Sequence, residues 1–465
     1  MRCFVIAFLL INSISAFVLA PKKPSEDNFY TPPEGYESQP VGSILKKRNV
    51  PNPLTSIVTS VRVQNSWQLL VRSEDSFGNP NAIVTTIIQP FNAKSDKLVS
   101  YQTFEDSGKL DCSPSYAIQY GSDITTLITQ SEMYFISALL DQGFYVVTPD
   151  YEGPKSTFTV GLQSGRATLN SIRATLKSGN LTGIDSNAET IMWGYSGGSL
   201  ASGWAAAIQN EYAPELSKNL IGAALGGFVT NITATAEATD GGLFAGLIAN
   251  ALGGLGNEYA NLTTFMEDNV VPEEQPAFKR RDQHCLVDSI LGNIGSQFFS
   301  GEDRWFANGW GVFEEEPFDS VFKENGLVYQ PKKYVPQIPL FIYQGTQDNI
   351  VPIKSSKITF QQWCEWGLES GEFAEDEATG HLTEIFFGAP AALTWINNRF
   401  NGVEPVQGCN HTARESNFDY PGISQADVDY FTAALNIVLG NDLGPIVKRE
   451  VKSVQDLNDL EYIKV

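Results

Sequence analysis

Residues Ile191 to Gly198 read Ile-Met-Trp-Gly-Tyr-Ser-Gly-Gly, an apolar run that halts in a Gly-x-Ser-x-Gly turn and continues into the small-residue stretch Ser199 to Ala207. This order predicts a strand, a sharp elbow and a helix, because only glycines such as Gly194 and Gly198 leave room for a serine to stand out on so tight a turn. Ser196 is thereby a candidate nucleophile. The pentapeptide also arises by chance in a Gly-rich chain, so its partners decide.

Only three histidines are available as the base: His284, His381 and His411. His411 sits inside the glycosylation acceptor Asn410-His411-Thr412, and His284 lies in a polar stretch before a cysteine. His381 follows Ala378-Thr379-Gly380 and opens the run Leu382 to Ile396, a loop feeding a helix, which is where a base for an elbow serine is expected. The acid comes from a second strand-then-loop unit. Ile338 to Tyr343 has a buried-strand pattern, and Asp348 lies just beyond it, on the rim of a parallel sheet that also carries the elbow. Ser196, Asp348 and His381 run in the chain order of α/β-hydrolases, not that of chymotrypsin or subtilisin. The rivals Glu375, Asp376 and Glu377 lie too near His381, in what reads as a charged loop.

A serine hydroxyl is a poor nucleophile at neutral pH. His381 would take its proton as Oγ attacks an acyl carbon and return it to the leaving alcohol, with Asp348 orienting the imidazole. The developing oxyanion needs fixed donors, each contributing roughly 3 to 4 kcal/mol. The N–H of Gly197, directly after the nucleophile, is the first; a second is expected from the loop after an early strand.

At 465 residues with 42% hydrophobic content, the chain suits an α/β core carrying a large insertion. Residues 1–20, with Arg2 before an apolar run and small residues near Ala16 and Ala20, read as a secretory signal; the run is short for a membrane anchor, and no other segment reads as a span. Cys3 leaves with that signal. Cys112, Cys285, Cys364 and Cys409 then imply two disulfides with three pairings open. Zinc is disfavoured, since neither Cys-x-x-Cys nor His-x-x-x-His occurs. Sequons at Asn180, Asn231, Asn261 and Asn410 mark surface positions. The formal charge of −22 argues against nucleic acid and anionic lipid head groups, and suits a neutral substrate.

Along the chain, 21–53 reads as an extended Pro-rich arm, followed by strands at 67–72, 82–89 and 97–104. Helix and strand then alternate: 132–142 helical, 143–148 strand, 165–178 helical, 189–194 the elbow strand and 220–225 a strand. The rhythm breaks from about Phe228 to Asp319, where Gly-rich and amphipathic stretches, the latter at 286–299, show no strand pattern. The fold class is therefore an α/β-hydrolase with a mostly parallel sheet and an inserted, mainly helical cap. Its parts are core at 21–228, cap at 229–320, core at 321–440 and a polar tail at 441–465 with a candidate processing site at Lys448-Arg449. Apolar residues of the insertion, among them Phe244, Leu247, Ile248, Leu252, Phe298 and Phe299, are core by default, or else line a channel for an acyl chain.

Several further strings carry a resemblance. Phe29 to Glu37 (Phe-Tyr-Thr-Pro-Pro-Glu-Gly-Tyr-Glu), Tyr101 to Asp106 leading to Asp111-Cys112-Ser113-Pro114-Ser115-Tyr116, Asp150-Tyr151-Glu152-Gly153, the elbow itself and Tyr212 to Leu216 together resemble the secretory yeast lipases of the Candida antarctica lipase A type. The resemblance covers nearly the whole chain up to about Asn441. It implies the same three catalytic residues, Asp106 as the second oxyanion-hole residue, a helical cap, and pairing of Cys112 with Cys285 and Cys364 with Cys409. An Asp side chain can donate a hydrogen bond only when protonated, so either a raised pKa or backbone donation is required.

The expectation is a secreted, monomeric triacylglycerol lipase that works through an acyl-Ser196 intermediate at a lipid–water interface, needing neither metal nor organic cofactor. An acyltransferase or a simple esterase uses the same triad. A peptidase lacks a peptide-gating domain here, and a silent fold used for binding would be expected to have lost a triad member.

Overall fold

The structure, a computed structural model, describes residues 20–57 and 59–438. The expected signal, apart from Ala20, and the tail from 441 with Lys448-Arg449 lie outside the described residues.

Ten strands form one sheet: β1 (Ile44–Asn49), β2 (Asn65–Glu74), β3 (Pro80–Gln89), β4 (Lys94–Gln102), β5 (Phe144–Pro149), β6 (Glu189–Tyr195), β7 (Leu220–Gly226), β8 (Leu340–Gly345), β9 (Ser370–Asp376) and β10 (Gly408–Arg414). Their spatial order is β1-β2-β3-β5-β4-β6-β7-β8-β9-β10. The first three strands and β5 pair antiparallel, and every pairing from β5–β4 onward is parallel. All residues of β5 and β8 are buried, as helices covering both faces of a parallel sheet demand.

The helices are α1 (Met133–Asp141), α2 (Gly161–Lys177), α3 (Gly197–Tyr212), α4 (Ile232–Thr239), α5 (Gly246–Glu258), α6 (Ala260–Asn269), α7 (Leu286–Gly292), α8 (Phe318–Glu324), α9 (Ile353–Trp366), α10 (His381–Phe387), α11 (Ala389–Phe400) and α12 (Gln425–Val438), besides shorter turns. On one face α2 and α3 meet with Trp204 against Gly161, and α9 adds Phe360 and Trp363. On the other, Phe135 of α1, Trp395 of α11 and Phe431 of α12 share a second core. Helices α4 to α8 lie between β7 and β8 in sequence and form the cap, which holds the aromatic cluster of Phe299, Phe306, Phe313, Phe318 and Phe322.

Three expectations need correction. The arm at 21–53 contributes a sheet strand, β1, whose alternate residues Lys47 and Asn49 face solvent at the edge. Glu375 and Asp376 end the buried strand β9 and are not in a loop; their carboxylates are held by Lys357, Thr346 and His411 and by backbone N–H groups, respectively. The amphipathic stretch at 286–299 is helical only to Gly292, and Phe298 and Phe299 follow in irregular chain hydrogen-bonded to Asp240.

Cys112 is bonded to Cys285 and Cys364 to Cys409. The first joins the loop after β4 to the cap; the second joins α9 to the edge strand β10. Asn180, Asn261 and Asn410 are exposed. Asn231 is half-buried, and its side-chain oxygen caps α4 by accepting from Ala234 N–H.

Candidate active site

Parallel strands place their carboxyl ends on one rim, and the loops leaving β4, β6, β8 and β9 meet there. Ser196 stands between β6 and α3 with φ 51° and ψ −123°, a strained conformation for a side-chain-bearing residue. The turn closes only without neighbouring side chains. A Cβ on Gly194 would lie 2.2 Å from the Gly198 carbonyl oxygen, and one on Gly198 would lie 1.9 Å from that of Gln102.

His381 Nε2 is 2.9 Å from Ser196 Oγ, and His381 Nδ1 is 2.7 Å from Asp348 Oδ2. Asp348 is fixed in turn. Its Oδ1 accepts the N–H groups of Ile350 and Val351 at 3.0 and 2.7 Å, and Oδ2 accepts Gln344 Nε2. The loops bearing the acid and the base are tied by Gln347 N–H to the Thr379 carbonyl, and Tyr195 donates its hydroxyl to the His381 carbonyl at 2.6 Å. The other histidines sit elsewhere: His284 Nδ1 is 2.9 Å from Asp288 in the cap, and His411 Nε2 is 2.7 Å from Glu375 at the sheet edge.

Gly197 opens α3, so its N–H has no partner within the helix, and the residue lines the cavity beside Ser196. Asp106, on the loop after β4, reaches the same place: a Cβ on Gly197 would stand 1.8 Å from Asp106 Oδ1. Burial pushes the Asp106 carboxyl up to about 7, with the nearby His381 opposing the shift. Oδ1 has no hydrogen-bond partner within the protein. The backbone N–H of Ser107 is directed to the Glu152 carboxyl at 3.4 Å. Glu152 and Glu105, both buried, are held well above the ordinary carboxylate range, first by desolvation and then by a neighbouring carboxylate, Glu105 for Glu152 and Asp150 for Glu105.

A narrow cavity of about 50 Å³ adjoins Ser196, Gly197 and Asp106 and is walled by Leu200, Val229, Ile232, Leu247, Ile248, Leu252, Phe299 and Phe322. Four of the insertion residues singled out in the sequence, Leu247, Ile248, Leu252 and Phe299, therefore face it. Phe298 is core, its ring tilted against Trp305 at 4.5 Å between centroids, and Phe244 packs at the core's margin. Sequence reasoning gave no role to Glu152, which it met only within the string Asp150 to Gly153, and missed the cap residue Asn250, which donates to the Asp106 carbonyl. Among the described residues, no group of three or more His, Cys, Asp and Glu side chains could hold a metal ion, and no helix is long and apolar enough to cross a membrane.

The family described as secretory lipase matches residues 118–408. Lipase 4 of Candida albicans is 57% identical over 443 residues, covering 95% of this chain and 96% of its own. Lipase 5 of the same organism is 55% identical over 462 residues, covering 99% of each. Of solved structures, Candida antarctica lipase A aligns with a TM-score of 0.80 at 29% identity, over 90% of this chain and 96% of that one. A serine elbow, a mostly parallel hydrolase sheet, a helical cap and identity above half along nearly the full length agree: the chain belongs to the secretory lipase family.

Proposed function

We propose that this protein is a triacylglycerol lipase in which Ser196, His381 and Asp348 are the catalytic triad and Asp106 and Gly197 form the oxyanion hole. The observation that carries this reading is the continuous hydrogen-bonded chain Ser196–His381–Asp348, at 2.9 and 2.7 Å, opening onto an apolar cavity under the cap.

His381 Nε2 takes the Ser196 proton as Oγ bonds to the ester carbonyl carbon. The carbonyl oxygen, now negative, accepts from Gly197 N–H and from the protonated Asp106 carboxyl. Collapse breaks the carbon–oxygen bond to the alcohol, which leaves with the proton from His381. Water then repeats the sequence on the acyl-enzyme, giving the fatty acid and free serine. Asp348 keeps the imidazole in the right tautomer and offsets its charge while it holds two protons. The cavity walls shelter the acyl chain from water, and a neutral ester suits a chain with a net charge of −22.

Membership of a secretory family, two disulfides and exposed sequons support an extracellular enzyme, with residues 1–20 as the signal. We take 229–320 as the cap domain and the protein as a monomer.

The test is release of fatty acid from emulsified long-chain triglyceride and from a soluble short-chain ester, by wild type and Ser196→Ala, with and without an alcohol acceptor. Serine-dependent release from the emulsion is expected, with a loss of about 10⁶-fold in the variant. Turnover retained by Ser196→Ala would remove the nucleophile; turnover of soluble esters alone would make the protein an esterase; and dominant transfer to the alcohol would make it an acyltransferase.

A further inference from the structure

Helix α5 of the cap turns one face toward the loop that carries Asp106. Asn250, fully buried, donates Nδ2 to the Asp106 carbonyl oxygen at 2.7 Å. Two turns on, Asn257 donates Nδ2 to the carbonyls of Gly108 and Lys155, at 2.9 and 2.8 Å. Between them Gly254 lets the helix touch the chain at Phe158, where a Cβ would stand 2.3 Å from a backbone nitrogen. Ser107 Oγ donates to the His284 carbonyl at 2.8 Å, and Cys112 is bonded to Cys285. Residues 106, 107, 108 and 112 are therefore each attached to the cap.

The bond from Asn250 has the most direct chemical consequence. Asp106 is held at φ 50°, a left-handed conformation that a residue with a side chain leaves readily unless its surroundings fix it. In the peptide that joins it to Ser107, Glu152 accepts the Ser107 N–H at 3.4 Å and Asn250 holds the Asp106 carbonyl. The orientation of the amide is not arbitrary: turned over, Asn250 would set one carbonyl oxygen against another. Its own Oδ1 is buried with no partner in the protein, a cost that an apolar residue would avoid. What the asparagine uniquely supplies is the grip on Asp106.

We propose that Asn250 is a positioning residue for the oxyanion hole, so that the cap completes the catalytic geometry and α5 stays docked on the core throughout turnover. The proposal rests on the assignment of Asp106 to the oxyanion hole. Access for substrate must then come from movement of cap segments other than α5.

The experiment compares Asn250→Leu, close to asparagine in shape but without a donor, with Asn250→Ala, Asp106→Ala, and Asn325→Leu as a second buried asparagine that touches neither Asp106 nor the cavity. Each secreted protein is assayed on a soluble ester for kcat and KM, for its thermal midpoint, and for its rate of inactivation by an alkyl phosphonate whose charged oxygen mimics the oxyanion. Displacing a donor by a fraction of an ångström lowers kcat by about ten- to hundredfold with KM little changed. Asn250→Leu and Asn250→Ala are expected to show this split, to lose phosphonate reactivity in parallel, and to add little to the loss in an Asp106→Ala background. Asn325→Leu is expected to lower the midpoint with kcat retained. Should Asn250→Leu behave like Asn325→Leu while Asp106→Ala is impaired, the positioning role is overturned and the oxyanion assignment survives. An unimpaired Asp106→Ala would overturn the assignment itself.

Discussion

Asp106 Oδ1 occupies the space that a β-carbon on Gly197 would need, 1.8 Å from where that carbon would stand. The two oxyanion donors of the proposed mechanism, a carboxyl and a backbone N–H, are thus brought together by the absence of one methyl group. Gly197→Ala should push Asp106 aside. We expect kcat to fall by about 10²- to 10³-fold, the effect of losing one oxyanion donor, with folding retained, and steady-state kinetics on a soluble ester would show it. An alanine variant with normal kcat would mean that Asp106 does not donate.

Acid–base behaviour follows from the same carboxyl. Burial raises Asp106 from 3.8 to about 7. Between those values the folded protein keeps a proton that the unfolded chain has released, so this group makes stability fall as pH rises through that window, with the loss complete above about 7. Only the neutral carboxyl can donate, and kcat should therefore decline as pH rises through about 7. Asp106→Asn keeps an N–H donor at every pH. Its kcat profile should lack the decline, and a decline of the same midpoint in that variant would assign it to another group.

Asp348→Asn should leave the fold intact, because an amide oxygen can still accept from Ile350 and Val351. The amide cannot hold His381 in the productive tautomer. A drop of about 10⁴-fold in kcat is expected, measured beside a thermal midpoint close to that of wild type.

Acyl-chain preference should respond to Ala236 on α4, a small residue at the cavity wall. Ala236→Phe fills that space. Relative to a short ester, turnover of a long-chain ester should fall at least about tenfold in kcat/KM, more than a single methylene is worth in a hydrophobic pocket. Equal loss on both substrates would show that the acyl chain lies elsewhere.

The two disulfides should separate in their effects. Replacing Cys364 and Cys409 by serine frees a link across 45 residues and should cost roughly 4 kcal/mol by loop entropy, with kcat unchanged. Replacing Cys112 and Cys285 frees a link across 173 residues, should cost roughly 5 kcal/mol, and should also lower kcat, because one end lies on the loop of Asp106. Denaturant titrations and kinetics on the two double variants distinguish stability from alignment.

The meeting of Ser196, His381 and Asp348 was legible because each rests on a local signal: a five-residue turn, a short supply of histidines, and a strand followed by Asp348. Interior strands were legible for a related reason, since burial on both faces makes them continuous apolar runs. The edges were not. β1 and β10 carry Lys, Arg, Asn and His, and β9 contains Glu372, Glu375 and Asp376, which are tolerated because Tyr420, Lys357 and Asn417 arrive from distant segments to satisfy them. The roles of Glu152 and Asn250 were invisible for the same reason. Each holds the peptide between Asp106 and Ser107 from a distant part of the chain, and no spacing rule reaches that far. Asp106 itself was flagged by resemblance and not by periodicity.

In the proposed mechanism the second oxyanion donor is the side chain of Asp106, not a backbone N–H. A backbone donor is supplied by whatever amino acid occupies a position and is indifferent to the medium. A carboxyl donor ties activity to one residue type and to the acidity of the surroundings. Genetic drift at position 106 should therefore be tightly limited, while substitutions in its buried acidic neighbourhood could retune the working pH without touching the triad.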